Sequence, residues 1–326
     1  MRDLGAMQMA LVPEVPARLD GLAVSVAYRP AEGPAAGGDF YDVFVPEPGK
    51  VAIVLGDICG HGHEALSHAA LTHYTLRAYL QAGLEPRAAL GLAGEVLSDL
   101  NGEHYATVAL AVFDAQSSKL TYANAGHPPP IFHGFQAREP LTICSSPPIG
   151  WGMPTGRRQT IVALPAGAEV CFFTDGLIDA RSEGRVLGRE RLNEILGELG
   201  PRPVASDLLE LVRAEAQATP DDMAACILLP ETVASDRCTH LEELEVDSRA
   251  LSGSGVWRFL DACRVPPAEI AQTLQLAHEI ATKFDTALLK VELEQTSATV
   301  IATGPGPGAV SSDAQDDLPA RVSRLA

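Results

Sequence analysis

Five short motifs, each set among glycines or apolar residues, are spread over most of this chain: GGDFYD (37–42), GDICGHG (56–62), NAGHPPP (124–130), FFTDGLIDAR (172–181) and PDDMAACIL (220–228). Four of them read as ending a β-like run with an aspartate, so a folded core pushes Asp39, Asp57, Asp175 and Asp221 toward one another. Carboxylates at the ends of buried strands repel each other and lose hydration, so such a cluster persists only where protons or cations compensate it. A divalent cation is the simplest compensation. Oxygen donors select magnesium or manganese over zinc, and the chain carries neither CxxC pairs nor an HExxH motif.

Size and charge narrow the remaining choices. With 326 residues and 46% hydrophobic content, the chain can bury a substantial core, and its length suggests a large domain plus a smaller unit. Lys and Arg total 24 against 42 acids, a formal charge of −18, which argues against nucleic-acid partners. No apolar run approaches the roughly 18–20 residues of a membrane span. The start, MRDLGAMQMALVPEVP, lacks the layout of a signal peptide. The expectation is a cytoplasmic protein with no membrane partner. Cysteines 59, 144, 171, 226, 238 and 263 are scattered without paired spacing, as reduced structural thiols are.

Residues 1–17 read as the stub of a helix broken by Pro13 and Pro16. Strand-like runs follow at 21–28, 40–45 and 50–58. Residues 63–81 place Leu66, Ala69, Ala70, His73, Leu76 and Leu80 at helical spacing, and 86–101 open a second helix with a proline. Further β runs at 105–114, 119–126, 130–134, 159–165 and 168–174 lead to helices at 188–199 and 203–217 and a strand at 223–230. This order predicts an α+β fold, an α-β-β-α sandwich, over residues 18–230. A doubly wound parallel sheet would alternate strands and helices one for one. After Pro230 an acidic link leads to two helices and an antiparallel hairpin, assigned to a small C-terminal unit at 231–303, and 304–326 has the Pro/Gly/Ser/Asp bias of a disordered tail.

The ordered set GGDFYD, GDICGHG, ATV, NAGHPPP, PPIG, FFTDGLIDA and DDMA resembles the SpoIIE-type (RsbU-like) branch of the PPM metal-dependent serine/threonine protein phosphatases, from about residue 18 to 230. The resemblance implies a phosphatase holding two manganese or magnesium ions. Its substrate would be a phosphoserine or phosphothreonine protein, often an anti-sigma factor antagonist in a bacterial partner-switching pathway. Residue by residue, Asp57 matches the aspartate that bridges both metals and the carbonyl of Ile58 the adjacent main-chain ligand. Asp175 and Asp221 match the carboxylates that complete the cluster, and Asp39 the acidic residue of the first motif. Such a pair of cations turns a bridging water into hydroxide and offsets charge on the phosphoryl oxygens. The leaving group still needs a proton, for which His61 and His127 are the candidates.

Taken singly, each of these residues has a plainer reading: an aspartate beside glycine is more often a turn or cap residue, and a histidine between glycines or before prolines often shapes a loop. Asp179 and Asp222 read as supporting or exposed residues rather than ligands. The chain departs from the family at His63-Glu64-Ala65-Leu66, which adds an acid beside the site, and at Ala224, where DDxT members carry threonine. Two other functions share parts of the pattern: a metal-poor binding module that holds an anti-sigma partner, and a hydrolase of small phosphoesters.

Segment 256–302 faintly resembles the ATPase fold of anti-sigma factors such as RsbW. Glu279 would match its acid, while Lys283 stands where the metal-binding asparagine belongs, and an ammonium cannot ligate magnesium. The resemblance implies a degenerate unit kept for docking or for homodimer contacts, with an anti-sigma factor or an upstream sensor as further partners. An unrelated α/β appendage is the alternative.

Overall fold

The computed structural model describes residues 10–31, 37–60, 62–101, 104–134, 146–182, 184–219, 221–231, 240–293 and 298–304. Of the expected N-terminal helix, only residues 10 and 11 fall among these as helix, and the tail beyond Gly304 lies outside them. The first strands are β1 (Arg18–Leu19), β2 (Leu22–Arg29), β3 (Phe40–Phe44) and β4 (Lys50–Ile58). Helices α1 (His63–Gln81) and α2 (Pro86–Asn101) follow. Next come β5 (Ala106–Asp114), β6 (Lys119–Ala125), β7 (Ile131–His133), β8 (Arg158–Ala163) and β9 (Glu169–Phe173). The short helix α3 (Gly176–Asp179) and the hairpin β10 (Arg181–Ser182) and β11 (Arg185–Val186) are too brief to show a period in sequence. Helices α4 (Gly188–Glu198) and α5 (Ala205–Glu215) precede β12 (Met223–Pro230).

Alternation along the strands sorts side chains into layers. On β4, Ala52 and Val54 face outward to Leu66, Leu76, Leu90 and Leu97 of α1 and α2. Val51, Ile53 and Leu55 face inward, where with Phe113 they meet Val24, Phe172 and Cys226 of the opposing sheet. On that sheet's far side, Cys171, Phe173 and Ile227 pack against Leu192, Ile195, Leu208 and Val212 of α4 and α5. The result is the α-β-β-α sandwich expected. Because β4 is covered on both faces, its run VAIVL is continuously apolar rather than alternating.

The expected acidic link is a strand. Residues 240–247 form β13 (His240–Asp247), which pairs with β8 on one side and with β14 (Thr286–Leu293) on the other. With β15 (Ala298–Thr303), the larger sheet runs β15-β14-β13-β8-β6-β5-β4-β3, and the smaller β1-β2-β12-β9-β7. HLEELEVD reads as polar because three of its glutamates are needed as partners. Glu242 accepts from Thr160 Oγ1 at 2.8 Å and lies 2.6 Å from His240 Nε2. Glu243 accepts from Gln159 Nε2 and pairs with Lys290 Nζ, both at 2.8 Å, and Glu245 pairs with Arg87 of α2. Leu244 and Val246, on the face opposite Glu243 and Glu245, join Phe259, Leu260, Ile270 and Ala277 from helices α7 (Ser254–Ala262) and α8 (Pro267–Phe284), which follow the single turn α6 (Ser248–Leu251). The C-terminal unit therefore shares a sheet with residues 18–230.

A second buried carboxylate pins β3 to α1. Asp42 faces His73 Nε2 at 2.9 Å and receives Arg77, whose guanidinium also covers the Phe44 ring at 4.1 Å. Burial alone would raise the Asp42 pKa, but the hydrogen bonds from His73 and Arg77 overrule it and hold it below the ordinary carboxylate value. With the folded pKa below the unfolded one, this stabilisation is complete above the unfolded value and drains away as pH falls through the folded one. Asp42→Asn should lower the urea midpoint at about pH 7 and flatten its fall toward about pH 4. Glu242→Ala, which orphans Thr160 and His240 inside the seam, should cost about 2–3 kcal/mol in the same assay, and Glu242→Gln less.

Candidate metal centre

Antiparallel pairing brings the beginning of one strand beside the end of its neighbour, and the site is built from that fact. In the larger sheet β3 and β4 pair Phe40 with Gly56, so Asp39, just before β3, lies beside Asp57 near the end of β4. In the smaller sheet β9 and β12 pair Phe173 with Ala225, so Asp175, just past β9, lies beside Asp221 and Asp222, just before β12. Only Asp57 and Asp175 sit at strand ends as the sequence suggested. Asp39 and Asp221 stand at strand beginnings, and the two sheets offer the two pairs at one end of the sandwich.

The electrostatics show how close the groups are. Burial raises the Asp39 carboxyl well above its ordinary value, and the charges of Asp57, Asp222 and Asp221 push it further. Burial, then Asp175, Asp221 and Asp222, raise Asp57 to about 7. Burial and Asp221 raise Asp175. Each aspartate thus feels carboxylates from the other sheet or from its own neighbour. Among the described residues, no three His, Cys, Asp or Glu side chains stand close enough together to hold a metal ion by themselves.

Main chain completes the donor set. A Cβ on Gly38 would stand 2.3 Å from the Ile58 carbonyl oxygen and 2.6 Å from Asp57 Oδ1, so only glycine lets the first motif close on these atoms. The neighbouring Gly37 makes room for Asp222 in the same way. All the donors are oxygens, partly buried and collectively overcharged, which fits a hard divalent cation and no softer metal. Asp39, Asp57, Asp175, Asp221 and the Ile58 carbonyl are the residues that could hold it.

Several supporting residues escaped the sequence reading. Thr174 Oγ1 donates to Asp39 Oδ2 at 2.9 Å and accepts from the Ala224 N–H at 2.9 Å, so one hydroxyl ties the two sheets together across the site. The signal for Thr174, just past β9, was the threonine preceding Asp-Gly. Asp222 is buried, not exposed, and accepts from Tyr28 Oη at 2.9 Å and the Ala31 N–H at 2.7 Å. Asp179 is exposed, as expected. Glu64 is 86% exposed and extends toward His104 Nε2, 3.6 Å away, rather than into the cluster.

The two histidine candidates part company. His61 lies outside the described residues. His127 is buried, with Nδ1 3.0 Å from Thr107 Oγ1. Burial drives its pKa down to about 4 against the opposing hydrogen bonds of Phe173 and Thr107, so near neutrality it is uncharged. Thr107 is the residue paired with Asp57 across β4 and β5, and His127 buttresses that strand.

The α-β-β-α sandwich is the fold of solved PP2C-type phosphatase domains. Residues 47–229, more than half of the chain, match the family model described as Stage II sporulation protein E, and the chain belongs to that SpoIIE family. It is 24% identical over 147 residues to phosphoserine phosphatase RsbP of Bacillus subtilis, covering 44% of this chain and 36% of that protein. It is 25% identical over 163 residues to phosphoserine phosphatase RsbU of the same organism, covering 49% of this chain and 48% of that one. The chain thus spans between about a third and a half of the length of these two relatives. Among solved structures, the RsbU and RsbW domains of a Mycobacterium tuberculosis protein share its fold at a TM-score of 0.58 and 23% identity, covering 90% of this chain and 86% of that one. A likeness of that extent reaches beyond residues 18–230 into the C-terminal unit.

Thr174→Val removes the hydroxyl between Asp39 and Ala224 without changing shape. It should weaken manganese binding by about fivefold in calorimetry, with Thr174→Ser restoring most of it. Unchanged affinity in Thr174→Val would mean that Asp39 is held by other groups.

Proposed function

We propose that the chain hydrolyses phosphoserine or phosphothreonine in a protein substrate, using two manganese or magnesium ions held by Asp39, Asp57, the Ile58 carbonyl, Asp175 and Asp221. The observation that carries this reading is the convergence of oxygen donors from both sheets into a cluster too acidic to stay ionised alone. Metal dependence is general among phosphatases of this class, and two curated relatives are named phosphoserine phosphatases. Divalent cations bound there would supply Lewis-acid stabilisation of phosphoryl oxygens and an acidified water. The protein's own share is to fix the donors: Thr174 orients Asp39, Gly38 admits the Ile58 carbonyl, and His127 with Thr107 backs the strand that bears Asp57. With His127 buried and uncharged, His61 is the remaining candidate for the proton given to the serine leaving group.

The substrate in this proposal is a phosphorylated anti-sigma factor antagonist of a partner-switching pathway in the cytoplasm. An anti-sigma factor or an upstream sensor completes the circuit. The C-terminal unit serves docking or homodimer contacts rather than nucleotide chemistry. In support, Glu279 is exposed on α8, and Lys283, also exposed, stands against its neighbour Phe284, 4.9 Å from that ring.

The test is manganese-dependent release of phosphate from a phosphoserine protein. Asp57→Asn and Asp175→Asn should each lower kcat/KM by at least about a hundredfold. Activity that survives both substitutions would overturn the assignment of these aspartates. Manganese binding without any phosphate release would instead favour a binding module.

A further inference from the structure

Trp151 and Met153 are among the most exposed large apolar side chains of the described residues, at 54% and 59%, and they sit in one loop between β7 and β8. Isolated exposed apolar residues need no explanation, but an adjacent pair held out on a fixed backbone does. The loop is fixed at several points. Ile149 exchanges two 2.9 Å main-chain hydrogen bonds with Ala106 at the start of β5, and Thr155 Oγ1 donates to the Pro147 carbonyl at 2.6 Å. Gly156, at φ +70°, presses so closely on Gly91 of α2 that a Cβ there would lie 2.1 Å from the Gly91 nitrogen. Such a scaffold holds Trp151 and Met153 toward water with little freedom to fold back.

The ledge is joined to the cluster through Tyr105. The Tyr105 ring meets Trp151 edge-on, 4.7 Å between centroids at 90°. Its hydroxyl is hydrogen-bonded to Cys59, the residue after Ile58, and senses the charges of Asp57 and Asp175. The main chain repeats the link, since Cys59 N–H donates to the Tyr105 carbonyl at 2.9 Å. Trp151 is therefore joined through Tyr105 to the residue after Ile58 at the edge of the carboxylate cluster, and Met153 is exposed two positions further along the same loop. A small phosphoester seated at the cluster has no use for these side chains, whereas a polypeptide carrying the phosphoryl group must leave the site across some surface.

We infer that Tyr105, Trp151 and Met153 form the ledge on which the substrate polypeptide lies, taking an apolar side chain next to its phosphoserine. The inference rests on the phosphatase reading and adds the substrate feature that the site selects. Its occupant is a phosphorylated peptide segment because Tyr105 joins the ledge to Cys59, next to the Ile58 carbonyl, so a chain bearing a phosphoryl group at the cluster passes over it. The rigid loop supplies the anchor in advance, so little ordering entropy is lost on binding.

Two peptides decide it: Ala-Leu-phosphoserine-Leu-Ala and the same sequence with glycine in place of both leucines. The wild-type protein should prefer the leucine peptide in kcat/KM. Trp151→Ala and Met153→Ala should each cut that preference about tenfold, through KM. A preference unchanged in both variants overturns the proposal. Binding is read separately from turnover. In Trp257→Phe, Trp151 is the sole remaining tryptophan, since the chain has two. Its fluorescence should shift on adding the non-hydrolysable phosphonate analogue of the leucine peptide with manganese present. A shift without phosphate release from any substrate would sink the hydrolytic reading and leave the ledge standing. Turnover with no shift would sink the ledge alone.

Discussion

Repulsion among carboxylates organises this protein. Asp39, Asp57, Asp175 and Asp222 are all raised above their ordinary pKa by burial and by one another, a state that a stable fold tolerates only where something positive is to be held. The two sheets are the means of holding them. Hydrophobic burial between Ile53, Leu55, Phe113 and Phe172 sets the sheets face to face, and antiparallel pairing within each sheet decides which loop ends share a rim. The carboxylates are thus forced together by packing interactions that lie entirely outside the site.

Much of this was legible in the residues. Helices α1 and α2 fall at the bounds their periodicity predicted, because leucines at helical spacing face an apolar sheet with nothing to compete. The strands around the site were equally clear, since β4 and β12 are covered on both faces and read as unbroken apolar runs. The gathering of the aspartates could be anticipated from the motifs, but the side of each strand on which they stand could not. Whether an aspartate begins or ends a strand depends on pairing partners far away in the chain.

Other features were hidden for identifiable reasons. β13 was read as a link because Glu242, Glu243 and Glu245 look solvated, and their partners Thr160, Gln159, Lys290 and Arg87 come from distant segments. Thr174 was passed over because a single hydroxyl carries no pattern, though its position between two sheets gives it two hydrogen bonds. The depth of His127 was equally hidden: its residue type suggests a proton donor, and only the fold shows that it is buried with its pKa lowered.

The strand β13 has one more consequence. A chain trimmed after Pro230 would leave β8 as an uncovered margin of the larger sheet, with the amides and carbonyls of 158–162 bared, Gln159 deprived of Glu243 and Thr160 of Glu242. Naked strand margins recruit other strands, so a fragment cut at that point would be prone to self-association. The appended unit is in this sense a selvedge that keeps the larger sheet from fraying into its neighbours.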